Sequence, residues 1–167
     1  MQRDPAATII FDLIGVLAEP SWRELSAAAT IDRWRLLKTG AAAEADFWSA
    51  QEAAAYRRAL RIRPDRLALL RGLRARGVRI VAASNLAAAW ADHLSMSPGG
   101  SLIDAWVISA RVGAAKPDPR FFAALAAVAP RGARFIDDTP ANCAAAAAAG
   151  FDAAWAWPGR DLAALTS

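Results

Sequence analysis

The sequence contains very little cysteine and histidine, the residues that build many metal and nucleophile sites. Cys143 is the only cysteine and His93 the only histidine among 167 residues. One thiol excludes an internal disulfide framework and fits a reducing compartment, so we expect a cytoplasmic protein. One histidine excludes a multi-histidine zinc site, and Cys143 has no CxxC partner. No nucleophile-elbow sequence near His93 supports a Ser-His-Asp triad.

Long apolar runs are also absent, although 56% of the residues are hydrophobic. No run approaches the roughly 18 residues that a membrane-spanning helix needs. The polar start of the chain does not resemble a signal peptide. The length fits one domain, or one domain that carries a modest insertion. We therefore expect a globular protein with ample material for a core and no membrane partner.

Lysine is scarce, since only Lys38 and Lys116 are lysines among the 20 basic residues. The arginines give a formal net charge of +4 and an isoelectric point near 10.2. They alternate with acidic residues along helical stretches, which is typical of a solvated surface, so specific nucleic-acid binding is not expected. A lysine at position 116 stands out, because a compact ammonium and a guanidinium fork do different jobs.

Alternating strand and helix patterns predict the fold class. Short apolar runs typical of buried strands lie at residues 8–12, 78–83, 105–109, 133–137 and 152–157. Helical patterns lie at residues 63–76, 86–94, 117–129 and 140–149. Strands joined by helical crossovers predict an α/β, doubly wound, Rossmann-like parallel sheet of about five strands.

One segment, residues 18–62, interrupts this alternation and has no strand pattern. Apolar residues at helical spacing predict one helix through Trp22, Leu25, Ala29, Trp34 and Leu37, and a second through Phe47, Ala50, Ala54 and Ala55. We predict a small all-helical cap at 18–62 on a core of 1–17 and 63–167. Such a cap would cover the carboxyl ends of the strands, where ligands bind in open α/β sheets. The alternative is a helical pair packed on the sheet edge.

Polar residues follow several predicted strands and point to one site. They are Asp12, Ser84, Asn85, Asp137 and Asp138, together with Lys116 in the loop after the third strand. Each alone could be a helix cap. Three carboxylates held together would raise at least one pKa, and a hard divalent cation removes that cost. Mg²⁺ held by carboxylates and water is the usual solution for phosphate chemistry, so the pattern predicts a magnesium site.

These clusters lie in stretches that resemble the four motifs of the haloacid dehalogenase superfamily. Residues 9–17 (IIFDLIGVL) resemble the first motif and residues 81–86 (VAASNL) the second. Residues 116–119 (KPDP) resemble the third motif and residues 135–142 (FIDDTPAN) the fourth. The likeness covers almost the whole chain in the family's order. Within the superfamily, the sequence looks closest to the branch that includes sugar-1-phosphate phosphatases.

The resemblance implies a role for each matched residue. Asp12 would be the nucleophile that forms an aspartyl-phosphate, and it would also bind Mg²⁺. Lys116 would neutralise charge on the nucleophile and the phosphate. The phosphoryl group would be held by Ser84 and by the backbone N–H of Asn85.

The same resemblance implies the remaining metal ligands and their supports. Asp138 would be the acidic ligand from the fourth motif, with Asp137 supporting it and Asn142 orienting the loop. Ile14 would offer its backbone carbonyl to the metal. The family's phosphatases usually carry an aspartate at the position of Ile14, where it protonates the leaving oxygen and activates water. An isoleucine does neither, and general acid–base catalysis is typically worth about 10²–10⁴-fold.

Three functions follow from this departure. The first is a Mg²⁺-dependent phosphatase that acts on a small phosphorylated metabolite, such as a sugar phosphate. The leaving group of this substrate would need little protonation. The second is a catalytically impaired protein that keeps the pocket for phosphate binding or regulation. The third is a 2-haloacid dehalogenase, although such enzymes resemble Asp-x-Tyr and lack the paired acids Asp137 and Asp138. We expect no partner beyond the small substrate, and a monomer or a homodimer.

Overall fold

A computed structural model describes residues 8–21, 23 and 31–166. Its centre is a sheet of five strands: β1 (Thr8–Phe11), β4 (Arg79–Ser84), β5 (Ala105–Ile108), β6 (Arg134–Asp137) and β7 (Asp152–Trp155). Their order in the sheet is β5-β4-β1-β6-β7, and every neighbouring pair is parallel. The predicted doubly wound parallel sheet is confirmed. Because β1 lies at the centre, the strand order reverses there, and such reversals are where open α/β sheets bind ligands.

Successive residues of the central strands enter two separate cores, one on each face of the sheet. Ile9 and Phe11 of β1 join a large cluster that also contains Trp90, whereas Ile10 joins a smaller one with Phe121. This alternation follows from the two-residue period of a strand. Both faces are apolar, which explains why the strands read as nearly continuous hydrophobic runs.

Four of the helices that flank the sheet lie close to their predicted positions, whereas the short helix Ser109–Val112 was not predicted. The flanking helices are α4 (Pro64–Ala75), α5 (Ala88–Met96), α6 (Ser109–Val112), α7 (Pro119–Ala126) and α8 (Pro140–Ala148). Helix α7 begins two residues later than predicted, because the Asp118 side chain accepts a hydrogen bond from the Arg120 N–H and caps it. No helix among the described residues has the length and apolar character needed to cross a membrane.

The segment between β1 and α4 contains helices, as expected, and also a short β-ribbon. Its described helices are α1 (Ile31–Lys38), α2 (Glu44–Phe47) and α3 (Ala50–Ala59). The two-residue strands β2 (Ala18–Glu19) and β3 (Arg61–Ile62) pair antiparallel where the segment leaves and rejoins the sheet domain. The prediction that this segment has no strand is therefore wrong, since two residues are too few to show an alternating pattern.

The predicted helices of this segment are partly described. The first was predicted to include Trp22, Leu25 and Ala29, which lie outside the described residues. The second is divided into α2 and α3, because Ser49 begins a new helix. Its hydroxyl accepts from the Glu52 N–H, and the Glu52 carboxylate accepts from the Ser49 N–H. This reciprocal pair is a capping box.

Candidate active site

The carboxyl ends of the three central strands meet at one cavity of about 220 Å³. Asp12 follows β1, Ser84 ends β4, and Asp137 ends β6. The cavity is lined by seven of the predicted site residues: Asp12, Ile14, Ser84, Asn85, Lys116, Asp138 and Asn142. Asp137, the eighth, is fully buried directly behind this group. The convergence follows from parallel strand direction, because all three strands end at the same edge.

Lys116 lies at the centre of the charged groups, and only 3% of its surface is exposed. Its Nζ atom lies 3.0 Å from Oδ1 of Asp12 and 2.6 Å from Oδ2 of Asp137. A third hydrogen bond, of 2.7 Å, goes to the carbonyl oxygen of Ala83. An ammonium group has three N–H donors, so all three are used. Burial lowers the pKa of Lys116, but the two carboxylates outweigh it and raise the pKa above its ordinary value.

Asp12 is buried at the end of β1, and its Oδ1 atom also accepts a 2.8 Å hydrogen bond from the Leu13 N–H. Burial is the largest influence on its pKa and raises it. Lys116 lowers the pKa and Asp137 raises it, so that the result is about 6. A further positive charge near Asp12 would lower its pKa, because such a charge favours the ionised carboxylate.

Asp137 and Asp138 are adjacent in sequence but have different surroundings. Both oxygens of Asp137 are engaged: Oδ2 by Lys116, and Oδ1 by the Thr139 N–H and the Asn142 Nδ2 group, each at 2.9 Å. Asp138 is half-buried and lines the cavity. Burial and the charge of Asp137 raise the pKa of Asp138. Asp137 therefore pairs with Lys116 and has both oxygens in hydrogen bonds, whereas the Asp138 carboxylate lines the cavity.

The three acids form a set that could hold a metal ion. One ligand oxygen from each of Asp12, Asp137 and Asp138 lies within 4.8 Å of the others. Hard carboxylate oxygens are the ligands that Mg²⁺ prefers. Three acids meet one ammonium here, so a divalent cation would offset the remaining negative charge. Because both oxygens of Asp137 are already engaged, Asp12 and Asp138, which line the cavity, are the carboxylates that fit Mg²⁺ as ligands.

Two residues near the site have supporting contacts that the sequence reasoning missed. The side chain of Asn85 donates to the carbonyl of Lys116 at 2.9 Å and accepts from its N–H at 2.8 Å. The buried hydroxyl of Ser109 accepts from the Leu86 N–H at 3.0 Å. Asn85 thus clamps the Lys116 loop with its side chain, and Ser109 fixes the chain that follows β4. The predicted role of Asn85 concerned only its backbone N–H.

Ile14, where the sequence resemblance led us to expect an aspartate in a phosphatase, lines the cavity. Its side chain is half-buried and packs against the larger hydrophobic core. Gly15 follows with φ of 91°, a backbone conformation that glycine adopts readily. A Cβ atom at Gly15 would lie 2.1 Å from Oδ2 of Asp138. The turn at Gly15 therefore permits a close approach of the chain to the Asp138 carboxylate.

Aromatic residues of the inserted segment and of α5 form the cavity's other wall. Trp34 and Tyr56 line it together with Trp90, whose ring stacks on that of Trp34 at 5.6 Å between centroids. The Trp90 indole donates a 2.5 Å hydrogen bond to Glu44, which also pairs with Arg57. The inserted segment therefore contacts the sheet domain beside the site.

Two tryptophans beside the fourth motif, Trp155 and Trp157, are substantially exposed. Trp155 is 45% exposed and Trp157 is 39% exposed, at the end of edge strand β7. Their rings contact each other at 5.3 Å, and the Trp155 indole donates a 3.0 Å hydrogen bond to the carbonyl of Asp138. Trp155 therefore holds the backbone of the fourth motif.

Comparisons with known proteins bear on the family and on the fold. A family profile for haloacid dehalogenase-like hydrolases matches residues 22–150. No curated protein gives a significant match. A predicted haloacid dehalogenase-like hydrolase from Porphyromonas gingivalis has a similar structure, with 25% identity, 95% of each chain covered and a TM-score of 0.75.

Two further solved structures share the fold. A haloacid dehalogenase family enzyme from Bacteroides thetaiotaomicron, in complex with magnesium and inorganic phosphate, is 22% identical, with 95% of this chain and 98% of that chain covered and a TM-score of 0.73. The L-2-haloacid dehalogenase of Xanthobacter autotrophicus is 20% identical, with 89% and 76% covered and a TM-score of 0.66. From the family match, the chain belongs to the haloacid dehalogenase-like hydrolases.

Proposed function

We propose that the protein is a Mg²⁺-dependent phosphatase that acts on a small phosphorylated metabolite through Asp12. The observation that carries the proposal is the position of the Lys116 ammonium, which contacts Asp12 and Asp137 at the edge of a cavity that Asp138 also lines. A carboxylate nucleophile, a fixed cation and a second carboxylate facing the same space are the parts that phosphoryl transfer needs.

The proposed reaction has two displacements at phosphorus. An oxygen of Asp12 attacks the phosphorus atom, the bond to the leaving oxygen breaks, and Asp12 carries the phosphoryl group while the leaving oxygen takes a proton from solvent. Water then attacks the same phosphorus and loses a proton to solvent, and the bond between phosphorus and Asp12 breaks, which regenerates the Asp12 carboxylate and releases inorganic phosphate. Lys116 offsets negative charge on Asp12 and the phosphoryl oxygens, while the Ser84 hydroxyl and the Asn85 N–H hold those oxygens.

Asp12, Asp138 and the backbone carbonyl of Ile14 would hold the metal ion. Bound Mg²⁺ would supply positive charge to the phosphoryl oxygens and fix their orientation. Asp137 would act through Lys116, since its oxygens are already engaged by Lys116, Thr139 and Asn142. The complex of the Bacteroides thetaiotaomicron enzyme with magnesium and inorganic phosphate supports this class of ligand.

Ile14 restricts the leaving groups that the site would accept. An isoleucine cannot protonate the leaving oxygen, so we propose substrates whose leaving group is stable without early protonation. An anomeric sugar hydroxyl and an acyl group are examples, and a sugar phosphate is the substrate class that the sequence resemblance suggests. Residues 18–62 would act as the cap that selects the leaving group, because Trp34 and Tyr56 reach the cavity.

Ile14 also supports a second candidate, a protein that binds a phosphorylated ligand without turning it over. Such a protein would keep the phosphate pocket for sensing or for regulating a partner. A 2-haloacid dehalogenase is less well supported, because Asp138 adds a cavity-facing carboxylate beside Asp12 that carbon chemistry does not need. A cytoplasmic location and a monomeric or homodimeric state stay predictions.

Phosphate release from a broad panel of phosphate esters and acyl phosphates, measured with Mg²⁺, tests the proposal. We expect turnover that Asp12→Asn abolishes and that chelation of Mg²⁺ stops. Asp138→Asn should raise the Mg²⁺ concentration needed for half-maximal activity about 10–100-fold. No release from any substrate, or equal release by Asp12→Asn, would exclude the phosphatase.

The same panel distinguishes the alternatives. Saturable binding of a phosphorylated metabolite by calorimetry, with no turnover, would identify the binding protein. Halide release from 2-haloacids that persists in chelator would identify the dehalogenase. Robust Mg²⁺-dependent phosphate release would exclude both.

A further inference from the structure

A second cavity, of about 390 Å³, lies next to the catalytic one. Among the described residues, Asp138 is the one that lines both cavities. The second cavity lies between the turn at Gly15, the first turns of α4 and the chain that follows β7. Its volume is within the range of sites that take small molecules, roughly 300–1,000 Å³. The proposed phosphatase reaction makes no use of it.

Positive charge dominates the lining of this cavity. Three arginines line it, Arg63, Arg66 and Arg160, against the single carboxylate of Asp138. Arg63 immediately precedes α4 and Arg66 lies in its first turn, whereas Arg160 lies in the chain after β7. Residues nearly a hundred positions apart therefore bring three guanidinium groups to one concave space.

The acidic residues near these arginines do not neutralise them fully, so the cavity keeps a positive charge. Asp65, which does not line the cavity, lies 3.2 Å from Arg63 and 3.5 Å from Arg66. Glu19 lies 4.0 Å from Arg63 but 2.6 Å from Arg61, so its charge is shared. A guanidinium has five N–H donors, and one carboxylate cannot occupy those of two arginines.

Arg66 is fixed in place by the backbone. Its Nε atom donates a 3.2 Å hydrogen bond to the carbonyl of Val16, and its side chain is only 21% exposed. A guanidinium held in this way loses little further freedom when it binds an anion. Such preorganisation favours binding, because the cost of ordering the side chain has already been met in folding.

Arg160 is held by an aromatic ring instead of an acid. Its guanidinium carbon lies 4.1 Å above the ring of Trp157. In the described part of the chain it forms no ion pair with a carboxylate. A stacked guanidinium keeps its in-plane N–H donors available, and those donors match the oxygens of a carboxylate or a phosphate.

We propose that this cavity is a second ligand site that takes a small metabolite bearing a carboxylate or phosphate group, held between Arg66 and Arg160. The anionic group pairs with the two guanidinium forks, and the body of the ligand lies against Trp157 and the backbone near Gly159. Asp138 forms the wall towards the catalytic cavity, so the ligand is next to the reaction site but does not enter it. The inference does not depend on the phosphatase reaction.

Nuclear magnetic resonance titration of the full chain tests the site, with malonate and inorganic phosphate as separate probes at constant ionic strength. The Trp157 indole and the Arg160 N–H groups report on the second cavity, and the Ser84 and Asn85 amides report on the catalytic one. We expect saturable shifts at Trp157 and Arg160. The probe that binds more tightly identifies the anionic group as carboxylate or phosphate.

Arginine variants separate a built site from general charge attraction. Arg160→Gln and Arg66→Gln should each weaken binding at the Trp157 reporter about tenfold or more, because each removes a charge-assisted pair. Arg71→Gln, on the exposed side of the same helix as Arg66, should change it less than about twofold. Arg160 is exposed, so its variant folds even if Arg66→Gln does not.

Two results would overturn the inference. One is saturation confined to the Ser84 and Asn85 reporters, which would leave the phosphatase proposal intact. The other is an equal loss in Arg71→Gln and Arg160→Gln, which would mean general attraction to a basic surface. Failure of the phosphate-release assay has no bearing on either result.

Discussion

The ammonium group of Lys116 and the carboxylate of Asp137 form a buried ion pair with a separation of 2.6 Å. Their side chains are 1% and 0% exposed, and the remaining oxygen of Asp137 accepts from Thr139 and Asn142. A buried pair gains little net free energy over apolar residues, but its geometry is well defined. Its consequence here is that Lys116 points at Asp12 from a fixed position.

Removing the ammonium should therefore damage stability and activity together. In Lys116→Met, two buried carboxylates, Asp12 and Asp137, face each other without a cation. Leaving a buried charge unpaired costs about 3–5 kcal/mol, which chemical denaturation would measure. Phosphate release should fall at least about 10²-fold, because one electrostatic donor at the reaction centre is lost.

The other lysine of the chain is a matched control for this variant. Lys38 is partly buried at the end of α1 and has no role in the site. Lys38→Met should therefore change the free energy of unfolding by no more than about 0.5 kcal/mol. Lys116→Arg provides a second variant that keeps the charge. It should fold better than Lys116→Met but stay impaired, because a guanidinium cannot reproduce three contacts made by one nitrogen. Normal activity in Lys116→Met would contradict the assignment.

Much of the candidate site could be predicted because its residues lie at the ends of strands. Parallel strands end at one edge, so polar residues after three apolar runs, such as Asp12 after β1, had to converge. The same reasoning explains why the sheet itself was predictable, since strands buried on both faces form continuous apolar runs.

Contacts between loops could not be predicted in this way. The clamp of Asn85 on the Lys116 backbone joins residues 31 positions apart and leaves no periodic pattern. The strand pair β2 and β3 has two residues in each strand, too few for alternation. The division between α2 and α3 did have a signal, because Ser49 followed three residues later by Glu52 is the pattern of a capping box.

Asp12 should make the metal-free protein less stable as pH rises. Its pKa is raised from 3.8 to about 6 in the folded state, so the folded protein binds an extra proton between these values. The stability that this proton contributes is present below about pH 4 and is lost as pH rises through 6. The rise of the Asp12 pKa from 3.8 to about 6 sets an upper limit of about 3 kcal/mol on this loss of stability.

Asp12→Asn isolates this effect, because asparagine has the same shape and does not titrate. In chelator at pH 7.5 the variant should exceed the original protein in unfolding free energy by about 1–2 kcal/mol, and the difference should shrink towards pH 4. Added Mg²⁺ should raise the melting temperature of the original protein and leave the variant nearly unchanged. A difference that is constant from pH 4 to 7.5 would be inconsistent with the buried carboxylate.

Gly15→Ala should weaken metal binding beyond its effect on the backbone. The new Cβ would lie 2.1 Å from Oδ2 of Asp138, so the Asp138 carboxylate must shift from its present position. Gly77→Ala is the matched control, because Gly77 also has positive φ, at 78°, with no atom within 4 Å of the added Cβ. Both variants should lose about 1 kcal/mol of stability from backbone strain.

Only Gly15→Ala should change the response to Mg²⁺. The midpoint of a Mg²⁺ titration, followed by melting temperature, should rise about 10–100-fold, as for other residues that orient a metal ligand. An unchanged midpoint would mean that Asp138 does not bind the ion.

Ile14→Asp should add an acid to the cavity and change which substrates the protein hydrolyses fastest. An aspartate at this position would protonate a basic leaving oxygen and later activate water, which is typically worth about 10²–10⁴-fold. The gain should be largest for alkyl phosphates and small for acyl phosphates, whose leaving groups need no proton. Ile14 packs against the core, so the variant should also lose some stability.

Ile14→Asn separates proton transfer from the change in polarity. Asparagine is as polar and almost the same shape as aspartate, but it is not an acid, so it should lower stability similarly without increasing kcat/KM on alkyl phosphates. The measurement is kcat/KM across leaving groups of graded basicity, for all three proteins. In the original protein, kcat/KM should depend steeply on the basicity of the leaving group, because Ile14 cannot supply a proton. Ile14→Asp should flatten that dependence. Equal slopes in the three proteins would show that position 14 does not control the leaving group.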